Sequence, residues 1–307
     1  MSDQIQRRGG TTAQHAAFTG ALRELTVDTT KSTVVVHDGA TPGGNALLRQ
    51  DLSNLALSQA QANSARGVLG VMGRNLLING GFTINQRVYV SAAALAATAY
   101  AHDRWKAGAL GGDYSFTQLA SNTMITLAAG KSLIQVVEDK NVQSSSYVLS
   151  WTGTATARVG VNTNIPSGAY ASSPIVITGQ APGTTMSVEF GAGTLGNAQL
   201  ESGTAATPFE FRQCGTELAL CQRYFEQVDG TYYYLNFIDR TQFVTVHYKI
   251  EKRINSTLTL INSAPVNITN IYGPYNSSKY AFILGCSGTA MQAAGYLYIG
   301  WQASAEL

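Results

Sequence analysis

The residues of this 307-residue chain best suited to chemistry are aromatic and amide side chains, not acids or metal ligands. Toward the C-terminus Tyr232, Tyr233, Tyr234, Tyr272, Tyr275, Tyr280, Tyr296 and Tyr298 accompany Asn236, Asn267, Asn270 and Asn276. Aromatic faces stack on the C–H faces of sugars, and hydroxyls and amides bond sugar hydroxyls, so such a set recognises a glycan without net charge. The run Tyr272-Gly273-Pro274-Tyr275-Asn276 reads as a turn, and turns on a rigid scaffold carry function. Tyr272, Tyr275 and Asn276 are therefore the first candidates for a ligand-binding site, with Tyr232 and Tyr234 second. The competing role for any one tyrosine is burial in a core or subunit interface with its hydroxyl satisfied. For the 272–276 cluster both roles stay open.

Catalytic and metal chemistry find little to work with. His15, His37, His102 and His247 form no HExxH or HxH pattern, and Cys214, Cys221 and Cys286 form no CxxC pair. The odd cysteine count points to structural thiols. Neither a GxSxG elbow nor a phosphate-cradling GxxxxGK[ST] loop occurs. Gly108–Gly112 lacks the flanking strand and helix of a phosphate site and reads as a turn. Paired acids that cleave polysaccharide would have to come from Glu138–Asp139, Asp239 and Glu251. Glu138–Asp139–Lys140 precedes Asn141, where a solvated turn is the ordinary explanation. The expectation is no enzyme, no catalytic residue, no metal and no cofactor.

Composition narrows the partners. Charged residues make up 12 % of the chain, about half the roughly 25 % usual in soluble domains. The net charge of +2 and the lack of a basic patch exclude nucleic-acid tracking. No run approaches ~18 apolar residues, so membrane insertion is not expected. The start MSDQIQRRGG has no apolar signal region, which predicts synthesis in a cytoplasm or export by a route without cleavage.

These side chains need a scaffold, and its elements are legible. Residues 1–47 hold two strand-forming runs, Glu24–Val27 and Ser32–Val36, across a polar turn at Asp28–Lys31, closed by Asp38-Gly39 and Pro42-Gly43-Gly44. A hairpin unit this small rarely stands alone. Residues 48–73 change period: Leu48, Leu52, Leu55, Gln59, Ala62, Arg66 and Leu69 follow an imperfect heptad seam. They predict a helical linker that trimerises through Leu52, Leu55 and Ala62, or a lone amphipathic helix. Residues 74–212 alternate with period two, as in Tyr147-Leu149-Trp151 and Met186-Val188-Phe190, and predict about eight strands in a sandwich or jelly roll. A connecting helix over 213–227 is predicted from Thr216 as N-cap and Leu218, Cys221 and Phe225 on one face. Residues 228–307 are again antiparallel β, with Leu297, Ile299 and Trp301 inward. The fold class is mainly β.

Three stretches resemble known phage proteins. RRGGTTAQHAAFTGALRELTVDTTKSTVVVHDGATPGG resembles the N-terminal module of phage tail fibres and tropism determinants. NLLINGGFTINQR (Asn75–Arg87), with HDRW (His102–Trp105), resembles the opening of a lectin-like, carbohydrate-binding-module-like sandwich in phage fibre proteins. AQLESGTAATPFEFRQCGTELALCQRYFE (Ala198–Glu226) is similar to its closing strand and helix, and QASAEL to the usual end of such chains. Val228 to Gly295 matches no named motif. The resemblance implies a homotrimeric tail fibre or receptor-binding protein of the virion. Residues 1–47 would attach to other tail or baseplate proteins, and 228–307 would touch a host surface glycan or protein. A capsule-degrading tail spike and a purely structural fibre segment are the alternatives. Related sandwiches often hold calcium, but the NGGF segment lacks the acid that follows in many of them.

Overall fold

In the computed structural model, residues 7–47, 75–236, 241–288 and 294–307 are described. The chain divides into two compact units, Met1–Ala62 and Asn63–Leu307. The heptad segment with Leu52, Leu55 and Ala62 lies outside the described residues.

In the first unit the expected hairpin forms. Strands β2 (Leu25–Asp28) and β3 (Thr33–Val36) pair antiparallel from Leu25↔Val36 to Asp28↔Thr33. Two elements escape the sequence pattern. A two-residue strand β1 (Gly9–Gly10) lies parallel to β2, and β4 (Asn45–Ala46) flanks β3. The short helix α1 (Thr12–Ala16) starts with a capping box, in which Thr11 and Gln14 satisfy each other's backbone N–H groups. This unit's interior is polar. Thr11 carbonyl accepts from His15 Nδ1 at 3.1 Å, and Gly20 N–H donates to His37 Nδ1 at 3.3 Å. Thr26 Oγ1 sits between the two remaining nitrogens, 2.8 Å from His15 Nε2 and 2.9 Å from His37 Nε2. The fixed ends set the proton order: His37 Nε2–H donates to Thr26, and Thr26 O–H donates to His15 Nε2.

The second unit begins with a two-sheet sandwich. One sheet has the order β10 (Ala157–Gly160), β12 (Met186–Phe190), β8 (Leu133–Val137), β5 (Lys106–Ala107). The other has the order β11 (Ile175–Thr178), β9 (Ser146–Thr152), β13 (Gly193–Ser202), β7 (Ile125–Leu127), β6 (Tyr114–Phe116). Tyr147, Leu149 and Trp151 meet Met186, Val188 and Phe190 in one core, as the alternation requires. Phe82 stacks on Trp105 at 4.9 Å, and Phe190 meets the edges of both Trp105 and Trp151.

The Asn75–Arg87 and Ala198–Glu226 motifs are two halves of one joint. Asn75 accepts the Leu200 N–H and donates to the Ala198 carbonyl. A Cβ on Gly80 would stand 2.1 Å from that same carbonyl, so only glycine lets the segment pass. Asn79, at positive φ, accepts from Thr83 and Ile84 N–H and donates to the Ile84 and Asp103 carbonyls. Every polar atom of its amide is thereby satisfied.

The connecting helix α2 spans Cys214–Gln222 with Gln213 at its N-cap. Thr216 is therefore inside the helix and not its cap. Phe225 starts strand β14 (Phe225–Asn236) and is not helical. Buried Glu217 ties α2 to the sandwich by accepting the Asn79 N–H and pairing with Arg212. The final region is two three-stranded antiparallel sheets. One runs β14, β19 (Ala294–Ser304), β16 (Thr257–Val266). The other runs β15 (Thr241–His247), β18 (Ala281–Gly288), β17 (Ile268–Tyr275). They enclose Phe282, Leu284, Cys286, Leu297, Ile299 and Trp301.

Buried charge joins this region to the sandwich. Glu306 pairs with both Arg87, at 3.0 Å, and Arg104, and Arg87 also holds Asp103 at 3.0 Å. The guanidiniums of Arg87 and Arg104 lie 3.6 and 3.7 Å from the ring centroids of Phe225 and Tyr224. Glu138 belongs to the same junction. It is buried, pairs with Arg223 at 3.1 Å and accepts the Tyr224 hydroxyl at 2.9 Å. The expected solvated turn holds for Asp139 and Lys140, which are exposed, but not for Glu138: Arg223 and Tyr224, which follow α2, reach back across the sandwich edge to it.

Candidate binding surface

The alternation of β15 and β18 decides which side chains face out. Val246, Phe282, Leu284 and Cys286 belong to the core, so Phe243, Thr245, Ile283, Gly285 and Ser287 occupy the opposite face. Phe243 pairs with Gly285, and Gly285 pairs with Tyr272 of β17. This makes an aromatic–glycine–aromatic row across three strands. Phe243 is 66 % and Tyr272 39 % exposed. Gly285 is buried beneath these side chains: a Cβ there would stand 3.0 Å from Phe243 Cε1 and 3.4 Å from Tyr272 Cβ, so the glycine lets both close over the strand.

Tyr272-Gly273-Pro274-Tyr275 is not the turn expected from its sequence. It is a bulge within edge strand β17. Tyr272 pairs with Gly285 and Tyr275 with Ile283, so three steps on β17 match two on β18. The extra residue returns Tyr275 to the face that Tyr272 occupies. Gly273 takes the required positive φ of 100°. Asn276 follows at the exposed end of the strand. Polar atoms flank the rings: Ser287 Oγ lies 3.4 Å from both the Tyr272 hydroxyl and Asn270 Nδ2. No Asp, Glu, Lys or Arg stands among Phe243, Thr245, Asn270, Tyr272, Tyr275, Ile283, Gly285 and Ser287.

The other predicted pair is not brought here. Tyr232 and Tyr234 pair through their backbones with Tyr298 and Tyr296, in the sheet β14–β19–β16. Their side chains lie outside the described residues. Sequence reasoning missed Phe243 and Gly285. The signal for Phe243 was present: once Val244 and Val246 are assigned inward, period two puts Phe243 outward.

Two titratable groups in the sandwich are strongly perturbed. Burial holds His102 down at about 4, and the ring is neutral, with Nδ1 2.5 Å from the Tyr114 hydroxyl and Nε2 2.9 Å from Gln118 Oε1. Burial lifts Asp103 to about 6, opposed by Arg87 and the Gln86 N–H. Both are enclosed in the fold and neither reaches the candidate surface. Among the described residues no group of three or more His, Cys, Asp or Glu is placed to share a metal. No helix among them is long and apolar enough to cross a membrane.

With this geometry in place, comparison with known proteins places the first unit. Residues 5–41 match the family described as the Major tropism determinant N-terminal domain. The "Tail fiber receptor-binding protein" of Bordetella phage BPP-1 is 62 % identical over 64 residues, which are 21 % of this chain and 17 % of that protein. The chain thus spans under a fifth of the length of this curated relative. Among solved structures, the I1 and U1 variants of the Major Tropism Determinant are 28 % and 27 % identical, each covering 48 % of this chain and 29 % of theirs, at a TM-score of 0.16. No shared architecture is read from a score that low.

Proposed function

We propose that this chain is a receptor-binding subunit of a phage tail fibre, carried on the virion. Its N-terminal unit docks on other tail or baseplate proteins, and its C-terminal region contacts a host surface glycan or protein. The observation that carries the contact surface is the exposed Phe243–Gly285–Tyr272 row, extended by Tyr275. An uncharged sheet face gains affinity from stacking and directed hydrogen bonds, and large exposed apolar patches mark interaction sites. The Major tropism determinant domain supports the virion end. The fibre is a homotrimer in this reading, with Leu52, Leu55 and Ala62 on a threefold seam and the sandwich a jelly roll. Three symmetry-related copies of a weak site then raise avidity without new contacts. The role in this reading is binding and not catalysis, and the commitment of Glu138 to Arg223 and Tyr224 supports it; of the other acid candidates, Asp239 lies outside the described residues.

The test is competition of the purified chain with virus for host cells. The triple variant Phe243→Ala, Tyr272→Ala, Tyr275→Ala should lose competition while its melting temperature and light-scattering mass stay those of the parent. Undiminished competition would overturn the assignment of this face, and a monomer at micromolar concentration would overturn the trimer.

A further inference from the structure

A concave site lies on a different element, the outer face of the sandwich sheet β10–β12–β8–β5. Its volume is about 440 Å³, within the roughly 300–1,000 Å³ of small-molecule sites. Glu189 of β12 forms the floor, opposite Arg158 of β10 in the strand register. The Glu189 side chain is 5 % exposed and accepts from Arg158 Nε at 2.7 Å and from the Ser132 hydroxyl at 2.6 Å. Arg158 and Lys131 keep about a third of their side-chain surface open. Tyr170 is 39 % exposed, with the Arg158 guanidinium 4.8 Å from its ring centroid.

Glycines hold the walls close. A Cβ on Gly108 would fall 2.0 Å from Ser132 Oγ, and one on Gly191 would fall 3.2 Å from the Tyr170 ring. The glycine-rich stretch Gly108–Gly112 thus forms the lip of the cleft, with Leu110 76 % exposed upon it.

The charges in this cleft are balanced within it: Arg158 by Glu189, and Lys131 by Asp113 at 3.4 Å. That leaves donors at the mouth, acceptors and hydroxyls at the floor, and a tyrosine beside them. A sugar hydroxyl donates and accepts at once, so an alternating wall of this kind suits a ring of hydroxyls better than it suits an anion or an apolar ligand. Glu189 is the one carboxylate among the residues lining the cleft and is already engaged, and Asp113 stands behind Lys131 outside the lining, so the site lacks the facing acid pair that cleavage requires. We propose that this cleft is a saccharide-binding subsite for a neutral hexose or N-acetylhexosamine unit, independent of the Phe243–Tyr272 face.

The experiment is saturation-transfer NMR on the full chain with the methyl glycosides of glucose, galactose, N-acetylglucosamine and glucuronic acid. At least one neutral glycoside should receive transfer. Tyr170→Ala should weaken it about tenfold, as loss of one aromatic and hydroxyl contact does. Ala109→Trp, at an exposed position on the lip, should block it by filling the cleft. Both variants should melt with the parent, and the Phe243→Ala, Tyr272→Ala variant should keep the signal. Absence of transfer from every neutral glycoside, binding of the glucuronide alone, transfer unchanged in both cleft variants, or transfer lost only in the Phe243→Ala, Tyr272→Ala variant would each overturn the proposal.

Discussion

Replacing Glu306 by glutamine tests whether the sandwich and the C-terminal sheets are held as one body by buried charge. Glu306 is 6 % exposed at its side chain, between Arg87 at 14 % and Arg104 at 2 %. A glutamine offers one acceptor and one donor where the carboxylate offers two acceptors. It satisfies one arginine and presents N–H to the other. Arg87 retains Asp103. Arg104 retains only the Val136 carbonyl at 2.7 Å and the face of Tyr224, and its Nε already lacks a partner among the described residues. Stranding one member of a buried ion pair costs about 3–5 kcal/mol. Trp105 and Trp151 report on the sandwich, and Trp301 on the C-terminal core. Urea unfolding followed by tryptophan fluorescence should show a lower midpoint, with the Trp301 component separating from the rest. The double replacement Arg104→Met, Glu306→Leu should recover most of the loss, because removing both charges leaves none unpaired. A Glu306→Gln unfolding free energy within about 0.5 kcal/mol of the parent, the range of an ordinary surface change, would refute the reasoning.

Other outcomes follow from the same geometry. Thr26→Val keeps the shape but takes the shared hydroxyl from His15 and His37; at about 1–3 kcal/mol for each buried group left unsatisfied, the first unit should lose most of its hydrogen-exchange protection, whereas Thr26→Ser should retain it. His102 has a folded value of about 4, below the ordinary 6.5, so its contribution is full above pH ~6.5 and is lost as pH falls toward 4. Asp103, raised to about 6, works in the opposite sense and becomes less destabilising as pH falls through the same window. His102→Gln should therefore narrow the difference in melting temperature between pH 7 and pH 4.5. An unchanged difference would show that other groups carry the acid sensitivity. Gly285→Val should push Phe243 and Tyr272 apart, since a Cβ there already meets them at 3.0 and 3.4 Å, and reduce cell adsorption; adsorption equal to the parent's would show that the spacing of these two side chains does not matter.

What the sequence disclosed, and what it hid, divide along one physical line. Period two revealed the strands and sent Tyr147, Val188, Leu297 and Trp301 inward, but the half-buried face it implied fails where Val148, Ser187 and Glu189 at alternate positions are buried too. The hairpin was legible because turn residues sit between two strand-forming runs. What stayed hidden depends on partners distant in sequence. Nothing near Glu138 announces Arg223 and Tyr224, some 85 residues away. The bulge at Gly273-Pro274 resembles a turn locally and becomes part of a strand only when β18 lies beside it. Phe225 has helical spacing from Cys221, yet pairing with Ser304 draws it into β14. The approach of Phe243 and Tyr272 needs Gly285 between them, which no local pattern links to either.

The low charge of the chain acquires a spatial meaning from this. Only 12 % of residues are charged, yet Arg87–Asp103, Arg104–Glu306, Arg223–Glu138 and Lys252–Glu226 are largely withdrawn from solvent. Lys252 and Glu226 are fully buried, 2.6 Å apart. A buried ion pair adds little net stability compared with an apolar contact of the same volume, but it tolerates few geometries. Pairs of this kind suit a joint whose angle matters more than its strength. Here they cluster where the sandwich meets β14 and the end of β19, and the outward row of Phe243, Gly285 and Tyr272 carries none. Affinity on that row then rests on stacking and neutral hydrogen bonds, which salt screens little. Raising ionic strength should leave cell binding nearly unchanged, and the buried junction, being poorly accessible to counterions, should hold the face in the same orientation throughout. Binding that falls steeply with salt would instead assign the contact to charged residues elsewhere on the chain.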